Sequence, residues 1–102
     1  MTAQHMVALA HANRIRLERA ELKRRIRAGE LTIAEVLADR PDCIDSMRAL
    51  ELIRALDRYG HKRAARLLHA AEVPLTRTVG RLTERQRESI VATLAARRGR
   101  AR

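Results

Sequence analysis

Aromatic residues are almost absent from this chain. Tyr59 is the only one among 102 residues, and phenylalanine and tryptophan are both missing. The apolar residues are therefore mainly leucine, isoleucine, valine, methionine and alanine. Strands favour aromatic and β-branched side chains, so this composition suits thin helical packing better than a β-sandwich. A chain of this length forms one small domain with a modest core. We therefore expect an all-α, single-domain fold of about five helices.

Cysteine and long apolar runs are also scarce. Cys43 is the only cysteine, which excludes a disulfide within the chain. No run approaches the roughly 20 apolar residues that a membrane span requires. No charged segment followed by an apolar stretch opens the chain, so no signal peptide is visible. We expect a cytoplasmic protein.

No group of residues forms a convincing catalytic or metal site. A nucleotide-binding glycine loop and a C-x-x-C pair are both missing, and His5 and His11 fit solvated surface positions better than ligand positions. Cys43 could act as a nucleophile beside a histidine, but packing next to Ile44 explains it more simply. We expect neither enzymatic activity nor a cofactor nor a bound metal.

Positive charge is abundant and unevenly placed. The net charge is +10, with net +5 in residues 1–29, −4 in residues 30–57 and +9 in residues 58–102. Such a separation predicts a polarised surface. Arginine greatly outnumbers lysine, and its planar fork suits phosphate contacts. The charge therefore favours nucleic acid as the partner.

The first half of the chain predicts three helices. Residues 7–28 form a long helix whose narrow apolar stripe, at Ile15, Leu22 and Ile26, leaves its first half projecting. Gly29 is a left-handed stop for it. A short second helix begins with the capping box of Thr32 and Glu35, and residues 39–42 form a turn. The third helix is expected at 47–57, capped by Asp45 or Ser46.

The second half predicts two more helices and a basic tail. The fourth helix runs over 61–72, and a loop follows over 75–82. Thr83 caps the fifth helix with Gln86 as its reciprocal partner. The expected domain limits are an N-terminal extension of the first helix over 1–13, a helical domain over 14–96, and a disordered tail over 97–102.

Three basic elements are candidates for contact with a polyanion. They are the glycine turn that opens the fourth helix, the loop after that helix, and the basic face of the first helix. Free N–H groups at a helix start attract anions, and cations beside them add to the attraction. The candidate DNA-binding residues are Arg19, Lys23, Arg24, Arg27, Arg58, Gly60, His61, Lys62, Arg63, Arg66, Arg77 and Arg81.

The residue types also indicate how the nucleic acid would be recognised. Reading of base edges favours amides and arginines on a helix, but the only amides are Gln4, Asn13 and Gln86, none of them on the basic surface of the turn. One tyrosine cannot supply the stacking platforms of single-strand binders. The remaining mode of recognition is contact with the phosphate backbone of a duplex. It predicts low sequence specificity and strong salt dependence.

Several short segments form a pattern that points to a known family. They are Arg19-Ala20-Glu21-Leu22-Lys23, the run from Met47 to Leu56, Tyr59-Gly60-His61-Lys62-Arg63-Ala64, Thr76-Arg77, Leu82 and Arg85-Gln86. In their order and spacing over residues 14–95, these segments resemble the integration host factor family of actinobacteria. The resemblance implies a nucleoid-associated protein with a helix–two-turns–helix element, and we expect a monomer. The resemblance also implies binding and bending or compaction of duplex DNA with little sequence preference.

The same resemblance implies roles for particular residues. Gly60 to Arg63 match the family's glycine hairpin, Arg77 matches one arginine of the loop, and Lys23 and Arg24 lie on the matching first helix. The loop departs from the family pattern Arg-Arg-x-Arg-Gly-Leu-Gly, because residues 77–83 read Arg-Thr-Val-Gly-Arg-Leu-Thr. Asp57 replaces the usual proline.

Alternative functions remain open at this point. The helix–two-turns–helix element also occurs in a ribosomal protein, which makes structured RNA an alternative partner. It occurs in DNA glycosylases too, but Met1-Thr2-Ala3 offers no catalytic N-terminus for such an enzyme. The third alternative is a helical module whose basic ends bind acidic proteins.

Overall fold

Five α-helices and two short 3-10 helices make up the described part of a computed structural model. The structure describes residues 3–100, with side chains up to Arg97. The helices are α1 (Ala3–Arg27), α2 (Ile33–Asp39), α3 (Ala49–Arg54), α4 (His61–Ala70) and α5 (Glu84–Arg100), with 3-10 helices at Asp42–Ile44 and Val79–Arg81. Within residues 3–100 there is no β-strand, only an isolated antiparallel bridge between Arg48 and Thr78. The all-α prediction is confirmed.

The first helix projects from the rest of the molecule, as predicted. It starts at Ala3, earlier than the expected residue 7, and its 25 residues measure about 37 Å along the axis. Ile26 is its only buried residue, while Ile15 and Leu22 pack partly against the core. The molecule is accordingly elongated, 54 Å along its longest axis against 26 and 24 Å.

Local hydrogen bonds end and begin the helices where the sequence predicts them. Gly29 has φ +78°, and the Glu30 N–H donates to Arg25 O at 2.9 Å, which closes the C-terminus of α1. The Thr32 and Glu35 capping box is formed at the start of α2. The Thr83 and Gln86 pair exchanges two hydrogen bonds, at 3.0 and 3.1 Å, before α5.

The third helix differs from its prediction in both length and cap. It spans only Ala49–Arg54, and Arg48 is the N-cap residue, without a side-chain hydrogen bond. Asp45 and Ser46 do not cap α3, because the helix begins after Arg48 and its first N–H, that of Ala49, donates to Arg77 O at 2.9 Å. Tertiary contacts therefore replace the expected local cap.

Two further helix ends were predicted incorrectly. Helix α4 stops at Ala70 because Glu72 takes a left-handed φ of 61°, and the Val73 N–H donates back to Leu68 O at 2.9 Å. Helix α5 continues to Arg100, so residues 97–100 of the basic tail are helical, contrary to the expected disorder. Residues 101–102 lie outside the described part of the chain.

The core joins the four C-terminal helices. Its fully enclosed side chains include Ile44, Leu52, Leu67, Leu68 and Ile90. Helices α3 and α4 pack against each other, and α5 packs against both α4 and α2. Among the residues that the structure describes, no helix is both long and apolar enough to cross a membrane.

Candidate nucleic-acid interface

The turn between α3 and α4 is shaped by Arg58 rather than by its glycine. Arg58 holds the left-handed conformation, with φ 67°. Gly60 is extended, with φ −80° and ψ −177°, and serves as the N-cap residue of α4 without a side-chain cap. An extended backbone is open to any residue. The conformation of the turn therefore does not require glycine at position 60.

The space beside Gly60 is open. A Cβ atom added there would find nothing within 4 Å. The first hydrogen bond of α4 runs from the Ala64 N–H to Gly60 O at 3.0 Å, so the N–H groups of His61, Lys62 and Arg63 precede the helical ladder. Together they form the positive end of the α4 dipole, which an anion can approach closely.

The side chains of the turn add positive charge at that same end. His61, Lys62 and Arg63 are all exposed. The Arg63 guanidinium carbon lies 4.1 Å from the centre of the Tyr59 ring, and its Nη1 donates to Arg58 O at 3.3 Å. These two contacts hold Arg63 over the turn, so less of its side-chain freedom is lost when it binds a ligand. We call residues 58–63 the hairpin turn.

The loop after α4 lies at the other end of α3. The Ala49 N–H, which begins α3, donates to Arg77 O at 2.9 Å. The Val79 N–H donates to Met47 O at 2.8 Å, and the Gly80 N–H to Asp45 O at 3.0 Å. The Arg77 side chain is half-buried and that of Arg81 is exposed. The hairpin turn and this loop are thus separated by the length of α3.

Three of the four predicted site residues on α1 already have protein partners. Arg19 donates to the Cys43 carbonyl and the Ser46 hydroxyl, so it fastens α1 to the core. Lys23 Nζ lies 2.6 Å from Glu51 Oε1. Arg24 pairs with Glu21 at 2.8 Å and with Glu30 at 3.3 Å. The hydrogen bond from Arg24, more than the charge of Arg24, lowers the pKa of the Glu21 carboxyl.

Two further predicted residues are exposed to solvent. Arg27 is exposed in the last turn of α1. Arg66, also exposed, lies three residues after Arg63 and extends the basic side of α4. Among residues 3–97, the members of the predicted set that are exposed and outside an ion pair are therefore Arg27, the basic side chains of the hairpin turn, Arg66 and Arg81.

Arg48 is a basic residue that sequence reasoning did not assign to the site. It is exposed, and its bridge to Thr78 places it beside the loop that carries Arg77 and Arg81. The bridge joins positions 30 residues apart, and no local pattern in the sequence indicates it.

The grooves and the cysteine show no sign of covalent chemistry. A groove of about 380 Å³ between α2 and α5 is mostly apolar, lined by residues such as Leu56, Val91 and Leu94. Cys43 is buried, and its desolvation raises the pKa of the thiol, which suits packing beside Ile44. Over residues 3–100, no cluster of three or more His, Cys, Asp or Glu side chains could hold a metal ion.

The fold and the hairpin turn together define a class: a small helical protein with an open, basic helix start that is suited to an anion. Comparison with known proteins agrees with this. The chain is 31% identical to proteins named integration host factor from Mycobacterium tuberculosis (strain H37Rv) and from Mycolicibacterium smegmatis, in each case over 90 residues covering 86% of both chains. The chain belongs to the actinobacterial integration host factor family.

A solved structure gives the same result for the fold. The structure described as sIHF bound to an 8-base-pair palindromic DNA superposes with a TM-score of 0.76 at 27% identity, covering 81% of this chain and 96% of the other. No model in a scan of protein families matches the chain. The family resemblance noted in the sequence is confirmed.

Proposed function

We propose that this chain is a non-enzymatic, nucleoid-associated protein that binds double-stranded DNA with little sequence preference and bends or compacts it. The observation that carries the proposal is the open, uncapped start of α4, where free N–H groups and three exposed basic side chains surround Gly60. Its structural neighbour is described as DNA-bound, and its relatives are named integration host factors, which supports duplex DNA as the partner.

The hairpin turn would hold a phosphate of the DNA backbone. The N–H groups of His61, Lys62 and Arg63 point out of the helix start, and their side chains supply charge. Arg63, oriented by Tyr59, would donate in a planar fork to the phosphate oxygens. Every duplex presents the same phosphates, so this contact carries no sequence information.

The other basic elements would lengthen the contact along the duplex. Arg77 and Arg81 would approach the DNA from the start of α3, and Arg66 from the side of α4. On α1, Arg27 is exposed, whereas Lys23 and Arg24 would exchange a carboxylate for a phosphate. Arg19 fastens α1 in place and would act on DNA only through that position. We place the protein, as a monomer, in the cytoplasm at the nucleoid.

A salt titration tests this proposal. Binding of a fluorescent 20-base-pair duplex of arbitrary sequence is measured between 50 and 200 mM salt. With about six phosphates neutralised, the slope of log K against log salt is about −5. An equal affinity for unrelated duplexes is expected, and tighter binding of structured RNA would contradict the choice of DNA.

Charge reversal in the hairpin turn locates the site. Lys62→Glu with Arg63→Glu should weaken binding more than 100-fold, equally for all sequences, and reduce the slope by about 2. Arg40→Glu is the control for Lys62→Glu, because it makes the same charge change at an exposed position between α2 and the first 3-10 helix. If the double variant binds as the unmodified protein does, the hairpin turn is not the site.

A further inference from the structure

Two segments distant in sequence lie side by side at the start of α3. Three backbone hydrogen bonds, of 2.8 to 3.0 Å, join residues 45–49 to residues 77–80, and the Arg48 to Thr78 bridge lies among them. We call residues 45–49 and 77–80 the paired segments. A Cβ at Gly80 would lie 2.9 Å from Asp45 O, so the two backbones are in direct contact. This arrangement fixes the backbone positions from which their side chains extend.

The paired segments and the adjacent Arg81 concentrate positive charge. Their ionisable side chains are Arg48, Arg77 and Arg81 against a single acid, Asp45. In contrast to Lys23 and Arg24, none of these three arginines belongs to an ion pair within the part of the chain that the structure describes. Arg48 and Arg81 are exposed and Arg77 is half-buried. Unpaired, exposed guanidinium groups are suited to phosphate oxygens.

The positive charge around Arg48 does not come from the free N–H groups of a helix start. The first N–H of α3, that of Ala49, is already bonded to Arg77 O. The positive charge of this surface therefore comes from side chains, whereas that of the hairpin turn comes from N–H groups and side chains together. Helix α3, whose six residues rise about 9 Å, separates the two surfaces.

We propose that Arg48 is a DNA-contacting residue, and that with Arg77 and Arg81 it forms a second phosphate-binding surface at the opposite end of α3 from the hairpin turn. The inference rests on the proposed function, because it assigns a further residue to the same duplex. Phosphate contacts at both ends of one short helix would set the orientation of the protein on the DNA. A single phosphate contact would leave that orientation free.

The test compares two arginine-to-alanine variants in the duplex titration. Arg48→Ala should weaken binding about tenfold for every sequence and reduce the salt slope by about 0.9. Arg40→Ala, which removes the same charge from an exposed position outside the paired segments, should leave both unchanged. Arg48→Gln retains the side-chain length without the charge and should behave like Arg48→Ala, which keeps the test valid if the alanine variant is unstable.

The outcomes separate this inference from the proposed function. If Arg48→Ala and Arg48→Gln keep the original affinity and slope, while Lys62→Glu with Arg63→Glu abolishes binding, the second surface is refuted and the hairpin turn stands. If Arg40→Ala weakens binding as much as Arg48→Ala, the effect belongs to net charge and the assignment of Arg48 is also refuted. If the unmodified protein does not bind duplex DNA, both proposals are wrong.

Discussion

The hairpin turn and the loop that follows α4 each combine a glycine with arginines, but the two glycines have opposite surroundings. Gly60 is extended and faces open space, because a Cβ atom placed on it would have no neighbour within 4 Å. Gly80 packs against the chain itself, since a Cβ atom placed on it would lie 2.9 Å from Asp45 O. Glycine at position 80 is thus required by the fold. Glycine at position 60 leaves room for something outside the chain.

The arginines of the two regions also differ in whether they support the rest of the fold. In the hairpin turn, Arg63 is oriented by the Tyr59 ring and by the Arg58 carbonyl. In the loop, the backbone of Arg77 supports α3, while Arg81 is exposed on a short 3-10 helix. The loop is therefore a structural connection that also carries charge, whereas the hairpin turn holds its arginine only through contacts within the turn. Substitutions at three positions can break or sharpen this comparison.

The largest expected effect is on stability, at Gly80. In Gly80→Ala the new methyl group overlaps the Asp45 carbonyl, so the paired segments must separate and their hydrogen bonds are strained. Overpacking of this kind costs about 2 kcal/mol of unfolding free energy. For a domain of this size, that lowers the melting temperature by roughly 10 °C. Circular dichroism during heating measures the change.

Arg81→Ala is the matched control for Gly80→Ala. It alters the next residue, which is exposed, and should change the unfolding free energy by less than about 0.5 kcal/mol. An unchanged melting temperature for Gly80→Ala would mean that the two segments are not packed as closely as described.

The reverse pattern is expected at Gly60. Gly60→Ala should keep the unfolding free energy within about 1 kcal/mol, because the backbone conformation is allowed and the space is open. Its methyl group would keep a phosphate away from the N–H groups of α4, and DNA binding should weaken about tenfold, or about 1.4 kcal/mol. Duplex titration and thermal melting are measured on the same sample.

Two results for Gly60→Ala would contradict the contrast between Gly60 and Gly80. Full DNA affinity would show that no ligand approaches the backbone at Gly60. A large loss of stability would show that this glycine serves the fold, as Gly80 does.

The smallest effect is expected at Tyr59. Tyr59→Leu keeps apolar bulk against the core but removes the ring that faces the Arg63 guanidinium. A surface cation–π contact contributes about 0.5–1 kcal/mol, so DNA affinity should decrease roughly two- to fivefold. Tyr59→Phe retains the ring and should bind as the unmodified protein does. Equal binding by Tyr59→Leu and Tyr59→Phe would show that Arg63 needs no orientation.

Much of the fold could be predicted from sequence because it depends on nearby residues. The Thr32 cap, the Gly29 stop and the Thr83 cap each involve hydrogen bonds across three to five positions. The length of α3 could not be predicted, since its start is set by a hydrogen bond to Arg77, far along the chain. Residues 97–100 continue α5 instead of forming the expected disordered segment, because charge alone does not end a helix.

The candidate site was also predicted only in part. The glycine turn and its basic residues were visible in the sequence, but the left-handed position fell on Arg58 and not on Gly60. The predicted basic face of α1 was visible too, yet Lys23 is paired with Glu51, which only the tertiary fold brings near, and Arg24 is paired with its sequence neighbours Glu21 and Glu30. Their individual roles in DNA binding remain predictions.

By itself, the sequence determined the helical class, the strong positive charge, several helix ends and the family, since composition and contacts over a few residues suffice for these. Only the tertiary structure decided which arginines are free for a ligand and which hold the fold together. The physical reason is distance along the chain. Glu51 meets Lys23 across 28 positions and Arg48 meets Thr78 across 30, and such meetings are set by how the helices pack together.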